Sequence, residues 1–476
     1  MHIHRTDRRC LLRGIGRASL AGLFAPGMSL LRADHANATQ EVLISPPEIR
    51  SRNGELNVTL TASPSPMQLG DVQFPGFVYN DSYLPPLLRI GLGDVMRVRL
   101  RNKVPEGFTN LHFHGMSVSP RARSDNVFIH VLPGHEFEYE VVVPRAGRQG
   151  PGLFWYHPHG HGFVTKQMLG GLSGALVVDG SETLFPIVKD LSERFFLIKH
   201  AEPGGGREVI SVNGQMNPLV EIRPGEMQFW RIAHIGATLF APFRFSGVSL
   251  YVIATDGHPL SRPRKMSEVV LGPGQRIDAI VIGPPPGEYA IATLPFKNMA
   301  WREIFPGQQI ATIVSAGPPA SADAEAQVLR QRVEVKRWTD EVRASEIARQ
   351  RRIVYSRTED RSVFMIDGRV MSDDRVDQTV KLGDTEEWTI VNTDQQYHSF
   401  HMHQTPFLLT DVNGLAQDED SLRDTMPIPP ATDDRPGSIK VSIPFTDPEI
   451  VGRFVYHCHA VDHEDKGMMG TVMVVA

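Results

Sequence analysis

Three stretches of this chain are variants of one another, and that repetition constrains its architecture more than any other feature. GDVMRVRLRN (Gly93 to Asn102) and GDTEEWTIVN (Gly383 to Asn392) share Gly, Asp and Asn at the same three positions. PGEMQFWRIAH (Pro224 to His234) keeps the frame, with Glu226 for Asp and His234 for Asn. Such a repeat predicts tandem copies of one unit. Apolar and charged residues alternate inside the first copy: Met96, Val98 and Leu100 with Arg97, Arg99 and Arg101, then Phe137, Tyr139 and Val141 with Glu136, Glu138 and Glu140. A period of two belongs to a half-buried strand. With 42 Gly and 36 Pro punctuating short runs, each copy reads as a β-sandwich and the chain as all-β.

A second repetition overlies the first. The outer copies carry four His-x-His pairs: His112 and His114 in TNLHFHG, His157 and His159 in FWYHPHGH, His401 and His403 in YHSFHMH, His457 and His459 in FVYHCH. The middle copy has none. One such pair on a strand is ordinary surface; four in one chain are not. If the outer copies pack together, eight imidazoles can hold three copper ions and leave positions open for dioxygen.

FVYHCH also contains Cys458, the sole cysteine besides Cys10. With no disulfide partner it is a small buried hydrophobe, a nucleophile or a metal ligand. Its neighbours favour metal. Phe454, Val455 and Tyr456 read as strand, so His457 and His459 point one way and Cys458 the other, and one tripeptide can serve two metal sites. His463 and Met468 follow, and thiolate, imidazole and weak thioether need one more imidazole to make a blue-copper ligand set. The other histidine motifs supply candidates for it, His398 among them.

These motifs, with LGPGQRIDAIV (Leu271 to Val281) and HEDKGMM (His463 to Met469), resemble the multicopper oxidases, laccase-like blue copper enzymes, over essentially the whole chain after the first 38 residues. The resemblance implies three tandem cupredoxin-like Greek-key β-sandwich domains, at 39–182, 183–318 (without copper ligands) and 346–476, with a linker at 319–345. It implies four copper ions. His398, Cys458 and His463 would hold the type 1 copper, with Met468 axial. His112 and His401 would hold the type 2 copper, and His114, His157, His159, His403, His457 and His459 the type 3 pair. His161 matches no ligand position and is read as structural. By the same resemblance, single electrons from a small reducing substrate (a phenol, an aromatic amine or a metal ion) reach the type 1 copper and pass through Cys458 to His457 and His459. Dioxygen is then reduced to water at the three-copper centre between the outer domains. Asp125 and Glu464 resemble acidic residues that assist that reduction. An axial Met argues against a very high potential.

The N-terminus places Arg8 and Arg9 before Cys10, Leu11 and Leu12, and Ala36-Asn37-Ala38 forms an A-x-A cleavage site, so residues 1–38 resemble a twin-arginine export signal. The expected location is periplasmic or otherwise exported, an oxidising setting that suits a single mature cysteine. Cleavage would take six Arg and two Asp and move the net charge from −5 to about −9. An acidic chain without basic clusters is not expected to bind nucleic acid, and no apolar run is long enough to span a membrane. The chain is expected to be a monomer. The charged stretch at 328–352, through RASEIARQRR, is expected to be partly helical. The loops around His398 and from Asp424 to Pro436 are expected to border the substrate opening. Two substrate readings remain, a laccase-type phenol oxidase and a cuprous-ion oxidase for copper tolerance; the absence of a Met-rich segment favours the first. A copper-free structural relative, of the kind that serves in cell division, would lack these ligands.

Overall fold

The computed structural model describes residues 40–204, 207–297, 305–333 and 338–476; the expected export signal lies outside the described residues. About half of the chain is strand and about a tenth is helix, in keeping with the all-β expectation. Among the described residues the strands form six sheets, two from each third of the chain. Each pair encloses its own apolar core, so the molecule is three sandwiches in series.

The repeated segments occupy equivalent places in the three sandwiches. Val95–Asn102 runs parallel to Glu55–Leu69 and antiparallel to Glu136–Val142. Met227–His234 stands the same way between Ser192–Gly204 and Arg276–Ile282. Thr385–Asn392 stands so between Ile347–Arg357 and Gly437–Pro444. In the first copy Met96, Val98 and Leu100 are buried, while Arg97, Arg99 and Arg101 pair across the strand with Glu140, Glu138 and Glu136. The recurring Asn closes the strand. Asn102 accepts from the Val104 amide and donates to the Val131 carbonyl, and Asn392 accepts from the Asp394 amide and donates to Gln396. Both turns lead the chain toward a histidine strand, which gives this position a reason to repeat.

The expected linker is more ordered than its composition suggests. It contains helices Ala324–Leu329 and Trp338–Ala344. Val328 packs into a cluster with Phe229 and Tyr251, and Val342 packs against Leu408 and Leu422. The stretch expected to be partly helical is helix only to Ala344. From Ile347 it is a strand paired with Thr385–Asn392, because Arg351 reaches Glu386 at 2.6 Å and lies over the Trp388 ring. Charge hid a strand whose arginine packs inward.

The histidine motifs sit on paired strands at the seam between the outer sandwiches. His112–His114 pairs with Gly152–His157, and His398–Met402 pairs with Gly452–Cys458. An apolar cluster drawn from all three sandwiches, with Leu153 and Trp155, Leu197 and Ala233, and Val461, closes that seam. A polar tie crosses it as well. Phe163 gives the helix Val164–Gly170 no side-chain cap, and Asp465 of the third sandwich accepts instead from the amides of Gly162, Val164 and Thr165 at 2.8, 3.2 and 2.7 Å. Asp465→Ala leaves those amides without their acceptor. The expected cost is about 2 kcal/mol, read as a lowered midpoint in thermal unfolding of the metal-free protein; an unchanged midpoint would mean that water caps this helix equally well.

Candidate metal centre

The strand Gly452–Cys458 carries the pivot of the site. Pleating sends neighbouring side chains to opposite faces. Cys458 lies with His398 and His463, while His457 lies with His159 and His403. The thiol sulfur is 3.4 Å from His398 Nδ1 and 3.5 Å from His463 Nδ1, and these nitrogens are 3.1 Å apart. The centre of that triangle is about 2 Å from each corner, the length of a metal–ligand bond. All three residues are buried. The Ser399 amide points at the sulfur from 3.4 Å, and the Phe364 ring stacks on His463. Asp394 stands 3.6 Å behind His398 Nε2, so the ring presents Nδ1 inward. Met468 is fully buried in the same core as Cys458, whose amide donates to the Met468 carbonyl.

On the other face eight histidines converge. The Nε2 of His457 is 3.1 Å from Nε2 of both His159 and His403. His459 Nε2 is 3.2 Å from His114 Nδ1. Two further groups bring His112 to His401 and His403, and His112 to His114 and His157. Burial pushes the imidazoles of His114, His157, His401, His403 and His459 well below their ordinary range, and the neighbouring rings push them further. His159 and His457 are depressed to about 3, again mainly by burial. Neutral imidazoles offer lone pairs, and Nε2 of His112, His157 and His401 has no hydrogen-bond partner. Buried polar atoms left open in this number fit bound metal ions.

Both acids singled out by resemblance are inside the protein. Asp125 is 1% exposed; it accepts from His112 Nδ1 at 3.0 Å, from the Phe113 amide at 3.0 Å and from Gln404 at 2.9 Å. Asp125 is therefore no solvated loop carboxylate, and it leaves Nε2 as the free ligating nitrogen of His112. Glu464 is fully buried, with one oxygen 3.0 Å from His457 Nδ1 and the other 3.5 Å from His159 Nδ1. These approaches are close but too poorly aligned to count as formed hydrogen bonds. Burial raises the Glu464 carboxyl to about 7, against the pull of His159. It can hold or release a proton near neutrality. His161 is in none of the converging groups.

Asp424 corrects the sequence reading. It does not border an opening. It is 2% exposed beneath the histidines, with Oδ1 3.1 Å from His114 Nε2 and its carbonyl 2.8 Å from His401 Nδ1. The surface part of that segment is Thr432 to Pro436, and Pro430 to Asp433 line an open depression with Tyr397. A separate pocket of about 240 Å³ reaches His463 and is lined by Phe240, Tyr397, Glu202 and Asp462 among others. Phe240 and Tyr397 stack with centroids 5.7 Å apart, and Asp462 lies 3.8 Å from His463 Nε2.

Family patterns described as multicopper oxidase match residues 63–183, 188–318 and 346–476. The multicopper oxidase mco of Staphylococcus haemolyticus is 24% identical over 450 residues, covering 89% of this chain and 90% of that protein. The cell division protein FtsP of Rahnella sp. is also 24% identical, over 494 residues and 98% of each chain. Among solved structures, the Campylobacter jejuni multicopper oxidase, a metallo-oxidase, superposes with a TM-score of 0.77 at 23% identity, over 91% of this chain and 95% of its own. The laccase-like CueO of the lignin-degrading bacterium Ochrobactrum sp. gives 0.73 at 20%, over 92% and 100%. These likenesses agree on three cupredoxin sandwiches.

The donor set makes a thermodynamic statement that can be checked. Burial pushes the Cys458 thiol well up, so the metal-free protein carries it protonated at neutral pH. The imidazoles, already neutral, bind through a lone pair and release no proton. Cupric ion added near pH 7 is expected to release about one proton fewer per chain from Cys458→Ser than from the parent. Calorimetry in buffers of different ionisation enthalpy reads this directly, and equal release would remove the thiol from the donors.

Proposed function

The chain belongs to the multicopper oxidase family of oxidoreductases, and on that premise we propose that it is a laccase-type enzyme taking single electrons from phenols or aromatic amines and reducing dioxygen to two waters. The observation that carries the proposal is the pair of donor groups back to back on one strand, joined through His457-Cys458-His459. Four copper ions would be held: one by His398, Cys458 and His463 together with Met468, one by His112 and His401, and two by His114, His157, His159, His403, His457 and His459. Bound there, copper would supply the one-electron oxidation at the cysteine site and the four-electron reduction at the histidine cluster.

The chain's own residues do the rest. Asp125 orients His112. Glu464, poised near neutrality beside His457 and His159, holds and passes protons, four of which are needed for each dioxygen. Phe240 and Tyr397 offer a flat wall to an aromatic ring, and Asp462 accepts the proton that a phenol or arylamine loses with its electron. His463, between that pocket and Cys458, connects donor to site.

A second reading, oxidation of a cuprous or other metal ion, draws support from Glu202 and Asp462 in the same pocket. Among the described residues, however, no three ligating side chains converge in that pocket, whereas an aromatic wall is present. Turnover of a bulky phenol, followed by dioxygen uptake, is expected to be insensitive to added cupric ion; strong activation by cupric ion would favour the metal-ion reading. A purely structural role is opposed by the full set of buried donors.

We further propose export through the twin-arginine machinery and work outside the cytoplasm, as a monomer. Among the described residues no helix is long and apolar enough to cross a membrane. Replacing Arg8 and Arg9 by Lys is expected to retain the protein in the cytoplasm on cell fractionation; export at the parental level would contradict this. Glu464→Gln is expected to lower dioxygen turnover by about 10²-fold or more while leaving anaerobic reduction by the phenol unchanged. Parental turnover would end the proton role.

A further inference from the structure

The middle sandwich contributes none of the proposed ligands, yet it reaches the histidine cluster. Arg276, fully buried, extends from the strand Arg276–Ile282 toward Asp424 of the third sandwich. Its Nη1 donates to Asp424 Oδ1 at 2.8 Å. Its Nη2 lies 2.8 Å from Oδ2, a close but bent ionic contact rather than a second hydrogen bond. Nε donates to the Leu153 carbonyl of the first sandwich at 3.1 Å, and Nη1 also reaches the Gly274 carbonyl. One guanidinium thus touches all three sandwiches.

Asp424 turns this anchor into histidine orientation. Its Oδ1 accepts from His114 Nε2 at 3.1 Å, which leaves the His114 lone pair on Nδ1, the atom 3.2 Å from His459 Nε2. Its backbone carbonyl accepts from His401 Nδ1 at 2.8 Å, which leaves that lone pair on the unpartnered Nε2. Thr425 donates to Asp424 Oδ1 at 2.8 Å and holds its hydroxyl 3.1 to 3.2 Å from both imidazoles. The two rings stack at 3.9 Å with opposite edges presented.

The surroundings leave little room for another arrangement. A Cβ on Gly115 would sit 2.3 Å from Arg276 Nη2 and 2.6 Å from Asp424 Oδ2, and one on Gly274 would sit 2.9 Å from the His114 ring. Both glycines have positive φ, +84° and +90°, so a side chain there is strained as well as crowded.

We infer that Arg276 is a positioning residue for the histidine cluster: through Asp424 it selects which nitrogen His114 and His401 present, and so ties the ligand-free middle sandwich to the metal-binding face. This rests on the multicopper reading above. Outer partners of metal-ligating histidines fix the tautomer and tune affinity, and their loss costs about 10- to 100-fold in metal binding.

The test uses the full-length, copper-loaded protein and two arginines of the same sandwich. Arg231 is nearly as buried as Arg276 and pairs with Glu193 and Asp278, with no hydrogen bond or ion pair to a histidine among the described residues. Arg231→Met is therefore the control for general damage to that sandwich. Arg276→Met is expected to keep the blue cysteine-to-copper band. Against a competing chelator it should lose its non-blue copper at about 10- to 100-fold lower chelator concentration than the parent, with an altered paramagnetic resonance spectrum of the non-blue copper. Arg231→Met should match the parent in both. If Arg276→Met does not fold, the near-isosteric Asp424→Asn carries the same comparison. Parent-like copper retention and resonance in a folded Arg276→Met, or equal losses in Arg231→Met, overturns the inference alone. A parent that takes up no copper fails the oxidase reading and this inference together.

Discussion

The pleat of the strand Gly452–Cys458 is the constraint on which everything else rests. Successive side chains on a strand cannot share a face, so a thiol set between two imidazoles must belong to a different group from theirs. The chain meets that condition by building one donor triangle inside the third sandwich, from Cys458, His398 and His463, and one cluster outside it, where His457 and His459 meet histidines of the first sandwich. The two groups are then joined through covalently neighbouring residues of one strand.

An outer cluster shared by two sandwiches has to be held by contacts between them. Apolar burial supplies most of that hold through Trp155, Leu197, Val461 and their neighbours, and directional contacts set the register. Asp465 caps a helix of the first sandwich, Gln404 reaches Asp125, and Arg276 braces Asp424 from the middle sandwich. Depressed imidazoles and a raised Glu464 follow from the same closure, since burial disfavours the charged form of each group. The middle sandwich, degenerate in ligands, is by this account a structural partner of the cluster rather than a spacer.

Much of this was legible in the sequence because it is local or repeated. The alternation of Met96, Val98 and Leu100 with arginines gave a strand, the frame repeated as GD…N in the outer copies and GE…H in the middle one gave three equivalent strands, and four His-x-His pairs with Cys458 gave the candidate donors. Contacts between distant segments left no such trace. Arg276 lies within LGPGQRIDAIV, but nothing in that stretch points to a partner 148 positions away. Asp424 looked like a loop carboxylate until its neighbours were known. Charge in Arg349, Arg351 and Arg352 masked a strand, and the Pro-Ala composition after Gly317 masked the short helix Ala324–Leu329, whose Val328 is buried. Periodicity reports which face is apolar; it is silent on which other face it meets.

The central claim is that two distinct copper groups lie on opposite faces of one strand. The visible and near-ultraviolet absorption of the copper-loaded protein, compared with that of Cys458→Ser, tests it most directly. The account predicts an intense blue band in the parent, from charge transfer between the cysteine and copper, that vanishes in the variant while the near-ultraviolet shoulder of the histidine-bound pair persists. A colourless copper-loaded parent, or a variant that loses both features at once, would contradict it.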